Sequence, residues 1–286
     1  MVLGELFTLP EDQNRKIWRY MDFTKFVAML AKNELFFCRN DLLGDHFEGA
    51  LPPTYNTLFE QHMRSVVQYN RNPTTDRDKA KVAAEADAAI YHIRQNYEQN
   101  RRGVFISCWH MNEFESAAMW SQYTSSNNAV AIRSTYNRLA DCLSSAPPIK
   151  GFTVPFGGEM MTMEPLKPLI GVVKYITYAP PATFPQDNLL YPFLHKRKSF
   201  EHEHELRAII WTNLPTIIGH PSVTPPLPEL PAGLGVKIDD LSKLVEDVII
   251  APEADSWYKE LVEKILEKYE LDKKIPIHVS SLNELF

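Results

Sequence analysis

Residues 195–210 read HKRKSFEHEHELRAII, and the change of pattern within this stretch decides what kind of fold the chain adopts. The segment ELRAIIW, which begins at Glu205, is apolar and partly β-branched, as is typical of a buried strand. If the strand covers 203–210, its period of two separates the acidic and basic residues from the histidines. One face then carries Glu203, Glu205 and Arg207, and the other carries His202, His204, Leu206 and Ala208.

Outward from this strand, the chain alternates segments typical of strands with segments typical of helices. Apolar or aromatic runs predict strands at 17–20, 34–40, 104–109, 129–134, 171–179 and 205–211, and in the later runs GVKI, VEDVIIAP and IPIHVS. Helical spacing predicts helices at 24–33, 54–70, 78–101, 113–124 and 255–270. Prolines and glycines predict loops at 145–169 and 221–233. We therefore predict one α+β domain over 1–286 with a mixed or mostly antiparallel central sheet, a helical insertion at about 54–101 and a C-terminal βαβ-like tail.

Composition and charge restrict the classes of function. The 286 residues carry a net charge of −6 and a pI of about 5.9, which argues against general binding to DNA or anionic membranes. Three widely spaced cysteines without a CxxC pair predict neither a disulfide framework nor a cysteine zinc site. The N-terminus lacks the pattern of a signal peptide, and no apolar run reaches the roughly 18–20 residues of a membrane helix. We predict a cytoplasmic protein that does not bind a membrane.

The charged residues of 195–210 are compatible with more than one kind of site. A metal would need histidine and carboxylate ligands from several elements, and spacing marks no third ligand beside the histidines, so no metal is predicted. Whether His195, His202 and His204 bind a metal stays open. Like charges two apart on a strand face raise each other's pKa unless a cation neutralises them. Arg207 or a partner from another strand is therefore expected to hold Glu203 and Glu205.

Three further motifs are weak when taken singly. Trp18–Arg19–Tyr20 is typical of an edge strand with aromatic packing. Trp120 and Tyr123 share one helical face, which is usually a core face. Asp45 and Glu48 flank Phe47 in a loop where acidic residues commonly serve turn formation.

Taken in order, the motifs resemble the bacterial domain-of-unknown-function family 2971 over about residues 17–210. The matching residues are Trp18-Arg19-Tyr20, Leu30, Asp45-His46-Phe47-Glu48-Gly49, Cys108-Trp109, Trp120-Ser121-Gln122-Tyr123, Val173-Lys174-Tyr175, Lys198 and Phe200-Glu201-His202-Glu203-His204-Glu205-Leu206-Arg207. Gly44 and His46 stand where the family tends to have Asn and Pro, and Phe200 replaces the more usual Trp. The family label itself carries little function.

The order of motifs is also similar to the layout of ADP-ribosyltransferase folds, and this resemblance implies an enzyme that uses NAD as substrate. It implies catalytic roles for Glu205, Glu203 and Arg19, with the arginine on the phosphates of NAD. A glutamate would grip a ribose hydroxyl and stabilise the positive charge that develops as nicotinamide leaves. Implied substrate-binding residues are Tyr20, Trp120, Tyr123, Arg207, Lys198, Asp45 and Glu48.

Two other interpretations remain open. The basic run His195–Lys198 and its aromatic neighbours indicate a nucleic-acid-sensing domain, which would suit a phage-defence or stress role, although the acidic total does not favour a large phosphate footprint. Alternatively, Arg19, Glu203, Glu205 and Arg207 form a buried salt-bridge network in a non-catalytic binding or scaffold domain. The sequence identifies no substrate, target or oligomeric state.

Overall fold

The computed structural model describes residues 7–45, 47–50, 53–156, 159–177, 190–212 and 230–283. The strands are β1 Lys16–Asp22, β2 Glu34–Arg39, β3 Val104–Met111, β4 Ala129–Thr135, β5 Phe152–Phe156, β6 Glu159–Met163, β7 Leu169–Val172, β8 Lys174–Ile176, β9 His195–Arg197, β10 Glu205–Trp211, β11 Gly233–Lys237, β12 Asp247–Ile250 and β13 Ile277–Val279. The α-helices are α1 Phe23–Lys32, α2 Pro53–Arg71, α3 Asp76–Arg102, α4 Ala117–Tyr123, α5 Tyr136–Ser145, α6 Leu241–Leu244 and α7 Tyr258–Lys268. Short 3-10 helices include Tyr191–Leu194 and Lys198–Glu203.

A mixed sheet of nine strands forms the centre of the fold. Its main path runs β11-β2-β3-β1-β4-β12-β13, and β10 joins the other edge of β3 and pairs in turn with β7. The β12–β13 pair is parallel and brackets α7, so the predicted βαβ tail is confirmed. The predicted α+β class and mixed sheet are also confirmed, and α2 and α3 form the helical insertion between β2 and β3.

The sheet forks at β3. One edge of this strand pairs with β10 along 104–110, but the other edge is shared between two strands. β2 pairs with Phe105 and Ile106, whereas β1 pairs with His110 and Met111. β1 and β2 therefore diverge beside 107–109, and the ladder hydrogen bonds of that edge have a gap there.

Helices cover one face of the sheet, because amphipathic segments bury their apolar stripes against it. The main core joins side chains of α1, α5, α6 and α7 to the strand residues that point to this helical face. Those strand residues include Ile17, Trp109, Ile132, Leu206 and Ala208. The opposite face carries α4 and the short 3-10 helices, with Trp18, Tyr20, Glu205 and Arg207 on the strands.

Several element predictions were wrong in detail. The predicted loop at 145–169 contains the antiparallel pair β5–β6, in which Pro155 lies within β5 opposite Met160. The single strand predicted at 171–179 is two strands, because β7 pairs with β10 whereas β8 pairs with β9. The helix predicted from 113 begins at Ala117, and α5 was not predicted. Most of the predicted proline-rich loop, 221–229, lies outside the described residues. None of the described helices is long and apolar enough to cross a membrane.

Candidate functional site

Five buried charged side chains meet on the face of the sheet opposite the main core. They are two cations and three carboxylates, here called the charge network: Lys196, Arg207, Glu48, Glu203 and Glu205. None of the five side chains is more than 5% exposed. Sequence alternation correctly placed Glu205 and Arg207 on one face, and the structure adds Glu48 from the loop before α2.

Local backbone geometry brings the other members to this face. Glu203 is the last residue of a 3-10 helix, so β10 begins at Glu205 as predicted for 205–211, and the alternation considered over 203–210 does not extend to Glu203. His204 follows in the left-handed region, with φ 38° and ψ 53°, and this turn directs Glu203 to the same side as Glu205. Lys196 enters from β9, which is held by its parallel pairing with β8. Gly49, with φ 69°, lets the chain turn directly after Glu48.

Lys196 contacts all three carboxylates. Its Nζ lies 3.0 Å from Glu48 Oε1, 2.5 Å from Glu203 Oε2 and 3.0 Å from Glu205 Oε1. The ring of Phe200 covers the ammonium group, whose Nζ is 4.7 Å from the ring centroid. An ammonium group has three N–H donors, so these contacts use its full donor capacity.

Arg207 closes the network from β10. Its Nε donates to Glu205 Oε2 at 2.5 Å and its Nη2 donates to Glu48 Oε2 at 2.7 Å. Its Nη1 donates to the carbonyl oxygen of Phe193 at 2.8 Å. Both oxygens of Glu205 are thus occupied by cationic donors, one by Lys196 and one by Arg207. Buried charges of this kind are retained only when they are paired in this way, because removing them from water is costly.

Glu203 and Glu205, which are two residues apart on the chain, differ in acidity. Burial, together with a hydrogen bond to Glu205 and the charge of Glu205, raises the pKa of Glu203 to about 7. Burial would also raise the pKa of Glu205, but the charge of Arg207 and the hydrogen bond with Glu203 outweigh it and hold that pKa below its ordinary value. Near neutral pH the network therefore holds one firmly ionised carboxylate beside one that can exchange a proton.

Polar side chains of α4 and β8 surround the network. Gln122 Nε2 donates to Glu203 Oε1 at 2.6 Å, and the hydroxyl of Tyr175 accepts from the backbone N–H of Glu205 at 2.8 Å. Burial and the nearby charge of Glu205 raise the pKa of Tyr123, which is only half-buried. Burial raises the pKa of the Cys108 thiol, and Glu205 raises it further. The network thus has a half-exposed rim of a tyrosine and a thiol.

Arg19 lies apart from the network. Strand alternation sends its side chain toward the helical face with Ile132, its partner in the register of β4, whereas Glu205 and Arg207 point to the other face. Its guanidinium reaches into the fork of the sheet, where it donates to Ser107 Oγ and to the carbonyl oxygen of Phe36, each at 3.0 Å. Among the described residues, no carboxylate forms an ion pair with Arg19. Burial lowers the pKa of Arg19, and the Cys108 and Cys38 thiols, when ionised, oppose this effect.

The predicted aromatic residues mainly hold α4 on the sheet. The rings of Tyr20 and Trp120 meet edge to face with centroids 4.9 Å apart. The Tyr20 hydroxyl accepts from the N–H of Ser116, and Trp120 Nε1 donates to Glu115. Trp120 also lines a cleft of about 370 Å³ beside α4, away from the five charges.

The remaining predicted residues are dispersed. Lys198 is exposed, and Lys196 is the lysine that enters the network. Asp45 pairs with Arg197 at 3.0 Å, so two of the four residues in the basic run are engaged by acidic partners. His195 is buried and its Nδ1 lies 2.5 Å from the carbonyl oxygen of Tyr191, whereas His202 and His204 are exposed. Within the described ranges, no group of three or more His, Cys, Asp or Glu could hold a metal.

Sequence reasoning missed Lys196, Gln122 and Tyr175 as parts of the site. The one available signal was the charge balance of the candidate residues. If Glu48, Glu203 and Glu205 lie near Arg207, a second cation is required to neutralise them. Comparisons with protein-family models, curated proteins and solved structures gave no match. The resemblances drawn from the ordered motifs therefore remain predictions.

Proposed function

We propose that this protein is a non-catalytic binding or scaffold domain in which the charge network is structural. The observation that carries the proposal is the occupancy of Glu205, whose two oxygens are both taken by buried cations. A carboxylate held in this way is not free to grip a substrate hydroxyl. The network instead ties the loop at Glu48 to a region about 150 residues later, which consists of β9, the Lys198–Glu203 helix and β10 in succession.

The substitution Glu205→Gln tests this proposal. Lys196 and Arg207 donate to different oxygens of Glu205, and the amide replaces one of these oxygens by an NH2 group, which is a donor. Because one buried cation then faces a donor, we expect a loss of about 3–5 kcal/mol in the free energy of unfolding. The matched control is Glu201→Gln, since Glu201 is an exposed glutamate of the same segment and should be neutral to within roughly 0.5 kcal/mol.

Thermal and urea unfolding followed by circular dichroism would measure both variants. A Glu205→Gln protein as stable as the Glu201→Gln control would refute a structural role. Isothermal titration with NAD forms the second arm of the experiment. If the network is purely structural, we expect no heat of binding at millimolar NAD.

A second candidate function is an ADP-ribosyltransferase-like activity with NAD as substrate. It is favoured by one observation, which is that the Cys108 thiol is an electrostatic neighbour of both Arg19 and Glu205. Among the described residues, the guanidinium of Arg19 donates only to neutral acceptors, Ser107 Oγ and the Phe36 carbonyl oxygen. Its other N–H groups are therefore available for the phosphates of NAD. On this hypothesis Tyr123, half-exposed beside Cys108, would contact the bound nucleotide.

Nicotinamide release from NAD distinguishes the two candidates. If the protein is a transferase, Arg19→Lys should raise the KM for NAD at least tenfold, because lysine keeps the charge but loses the planar fork. Arg15→Lys is the matched control, since Arg15 is a half-exposed arginine that pairs with Glu113 at 3.0 Å, away from the network. If the wild-type protein releases no nicotinamide and binds no NAD, the transferase candidate is wrong and the non-catalytic binding or scaffold domain remains.

A further inference from the structure

The charge network contains one more carboxylate than cation. Three glutamates share Lys196 and Arg207, so with all groups ionised the cluster carries a formal charge of −1 in a site closed to water. Excess charge in a buried cluster is relieved when one acid takes up a proton. The geometry determines which acid this is, because the two cations are distributed unequally.

Glu203 is the least supported of the three carboxylates. Glu48 and Glu205 each contact both cations, whereas Glu203 contacts only Lys196. Its other side-chain partner is the neutral amide of Gln122. In the part of the chain that the structure describes, Arg207 forms ion pairs with Glu48 and Glu205 but none with Glu203.

The groups that face Glu203 come from every element packed around it. They are Lys196 of β9, Glu205 and Arg207 of β10, Gln122 and Tyr123 of α4, His110 and Cys108 of β3, Tyr175 of β8, Glu48 of the loop before α2, and His202 and His204 of its own segment. Of these, Glu205 is the negative charge that acts most strongly on Glu203. Its repulsion favours the neutral form of Glu203.

The backbone around Glu203 has two energetically unfavourable features. His204 is a non-glycine residue in the left-handed region, which costs about 1 kcal/mol or more. Beneath it, His110 Nδ1 donates to the Glu203 carbonyl oxygen at 2.6 Å. The other ring nitrogen of His110, Nε2, is buried without a hydrogen-bond partner among the described residues. An unsatisfied buried acceptor lowers the free energy needed to open the segment above it.

We propose that Glu203 is a proton-operated latch: in its neutral form it holds the segment 198–204 against α4 and β10, and as a carboxylate it releases that segment. Opening moves Glu203 into water and away from Glu205, and it uncovers His110 and the rim at Tyr123 and Cys108. The latch would thus make access to this face of the sheet depend on pH near neutrality. It does not depend on whether the protein acts on NAD.

The sign of the effect follows from linkage. The pKa of Glu203 is about 7 in the closed segment and near its ordinary 4.5 in the open one. Closure is therefore favoured fully below pH 4.5, and this contribution is lost as the pH rises through 7. Between pH 5 and pH 8 the opening equilibrium should rise on the order of 100-fold.

Hydrogen exchange measured by mass spectrometry between pH 5 and pH 8 tests the latch. After correction for intrinsic exchange rates, the protection of peptides covering 117–123 and 198–204 should fall with rising pH in the wild-type protein. In Glu203→Gln, whose amide imitates the neutral acid, protection should be independent of pH. Glu201→Gln, the matched control, should behave as the wild type.

A wild-type pH profile in Glu203→Gln, or a flat profile in Glu201→Gln, would overturn the proposal. Gln122→Ala provides a second variant, because Gln122 is exposed and its removal should leave the fold intact. Loss of its N–H donor disfavours the charged form of Glu203, so the fall in protection should shift to higher pH. If the profile of Gln122→Ala does not shift, the latch is refuted even if Glu203→Gln does not fold.

Discussion

Replacing Lys196 by methionine removes the one cation that contacts all three buried carboxylates. Each contact spans 2.5–3.0 Å between Nζ and a carboxylate oxygen. At an effective dielectric constant of 20, one pair at 3 Å attracts by roughly 5–6 kcal/mol. The cost of taking the ammonium group out of water offsets much of the sum, and the net loss on breaking a buried network is about 3–5 kcal/mol. For a chain of this size, that loss corresponds to a fall of roughly 6–20 °C in Tm.

The loss should depend on pH. Without Lys196, the pKa of Glu203 rises further above its ordinary value, so the variant recovers part of its stability where the carboxyl is protonated. The difference in Tm between wild type and Lys196→Met should therefore be larger at pH 8 than at pH 5. Adding Glu203→Gln to Lys196→Met removes one unpaired charge, and it should restore at least about 1 kcal/mol at pH 8.

Thermal unfolding followed by circular dichroism at the two pH values measures these effects. Lys198→Met is the matched control, because Lys198 is exposed two residues away and should change the stability by less than roughly 0.5 kcal/mol. Equal Tm values for Lys196→Met and Lys198→Met would show that the network does not stabilise the fold. A pH-independent difference would contradict the charge assignment.

Gly49→Ala should destabilise the fold by about 1–3 kcal/mol, because φ is 69° and a Cβ would lie 2.6 Å from Phe193 Cε1. Gly44→Ala, with no heavy atom within 4 Å, should leave the thermal midpoint unchanged, and equal effects at the two glycines would refute this argument. Leu206→Ala should cost about 2–5 kcal/mol in urea unfolding, because this side chain is fully buried in the main core, and a loss below about 1 kcal/mol would contradict that placement. Because the buried cations lower the pKa of Glu205, its contribution is present above pH 4.5 and is lost as the pH falls through the lowered pKa. The acid-side loss of stability should therefore be smaller in Glu205→Gln than in the wild type, and identical acid titrations would show that Glu205 is not the titrating group.

The strand and helix pattern was largely predictable because it depends on local alternation. The run ELRAIIW predicts β10, and its period of two correctly places Glu205 and Arg207 on one face. The same argument failed at Glu203, because the chain leaves strand geometry at His204. It also missed β9, which is three residues long and is held by a parallel partner about twenty residues earlier in the chain.

The sequence by itself determined the α+β class, the helical insertion, the βαβ tail and the charged face of β10, since each depends on residues close together in the chain. Only the tertiary structure decided which charges meet: it selected Lys196 over Lys198, added Glu48, and placed Arg19 in the fork of the sheet instead of beside Glu205. The physical reason is that alternation fixes the face of a side chain but not its neighbours across the sheet. Those neighbours depend on strand register, on turns such as those at Gly49 and His204, and on the requirement that a charge removed from water finds a partner.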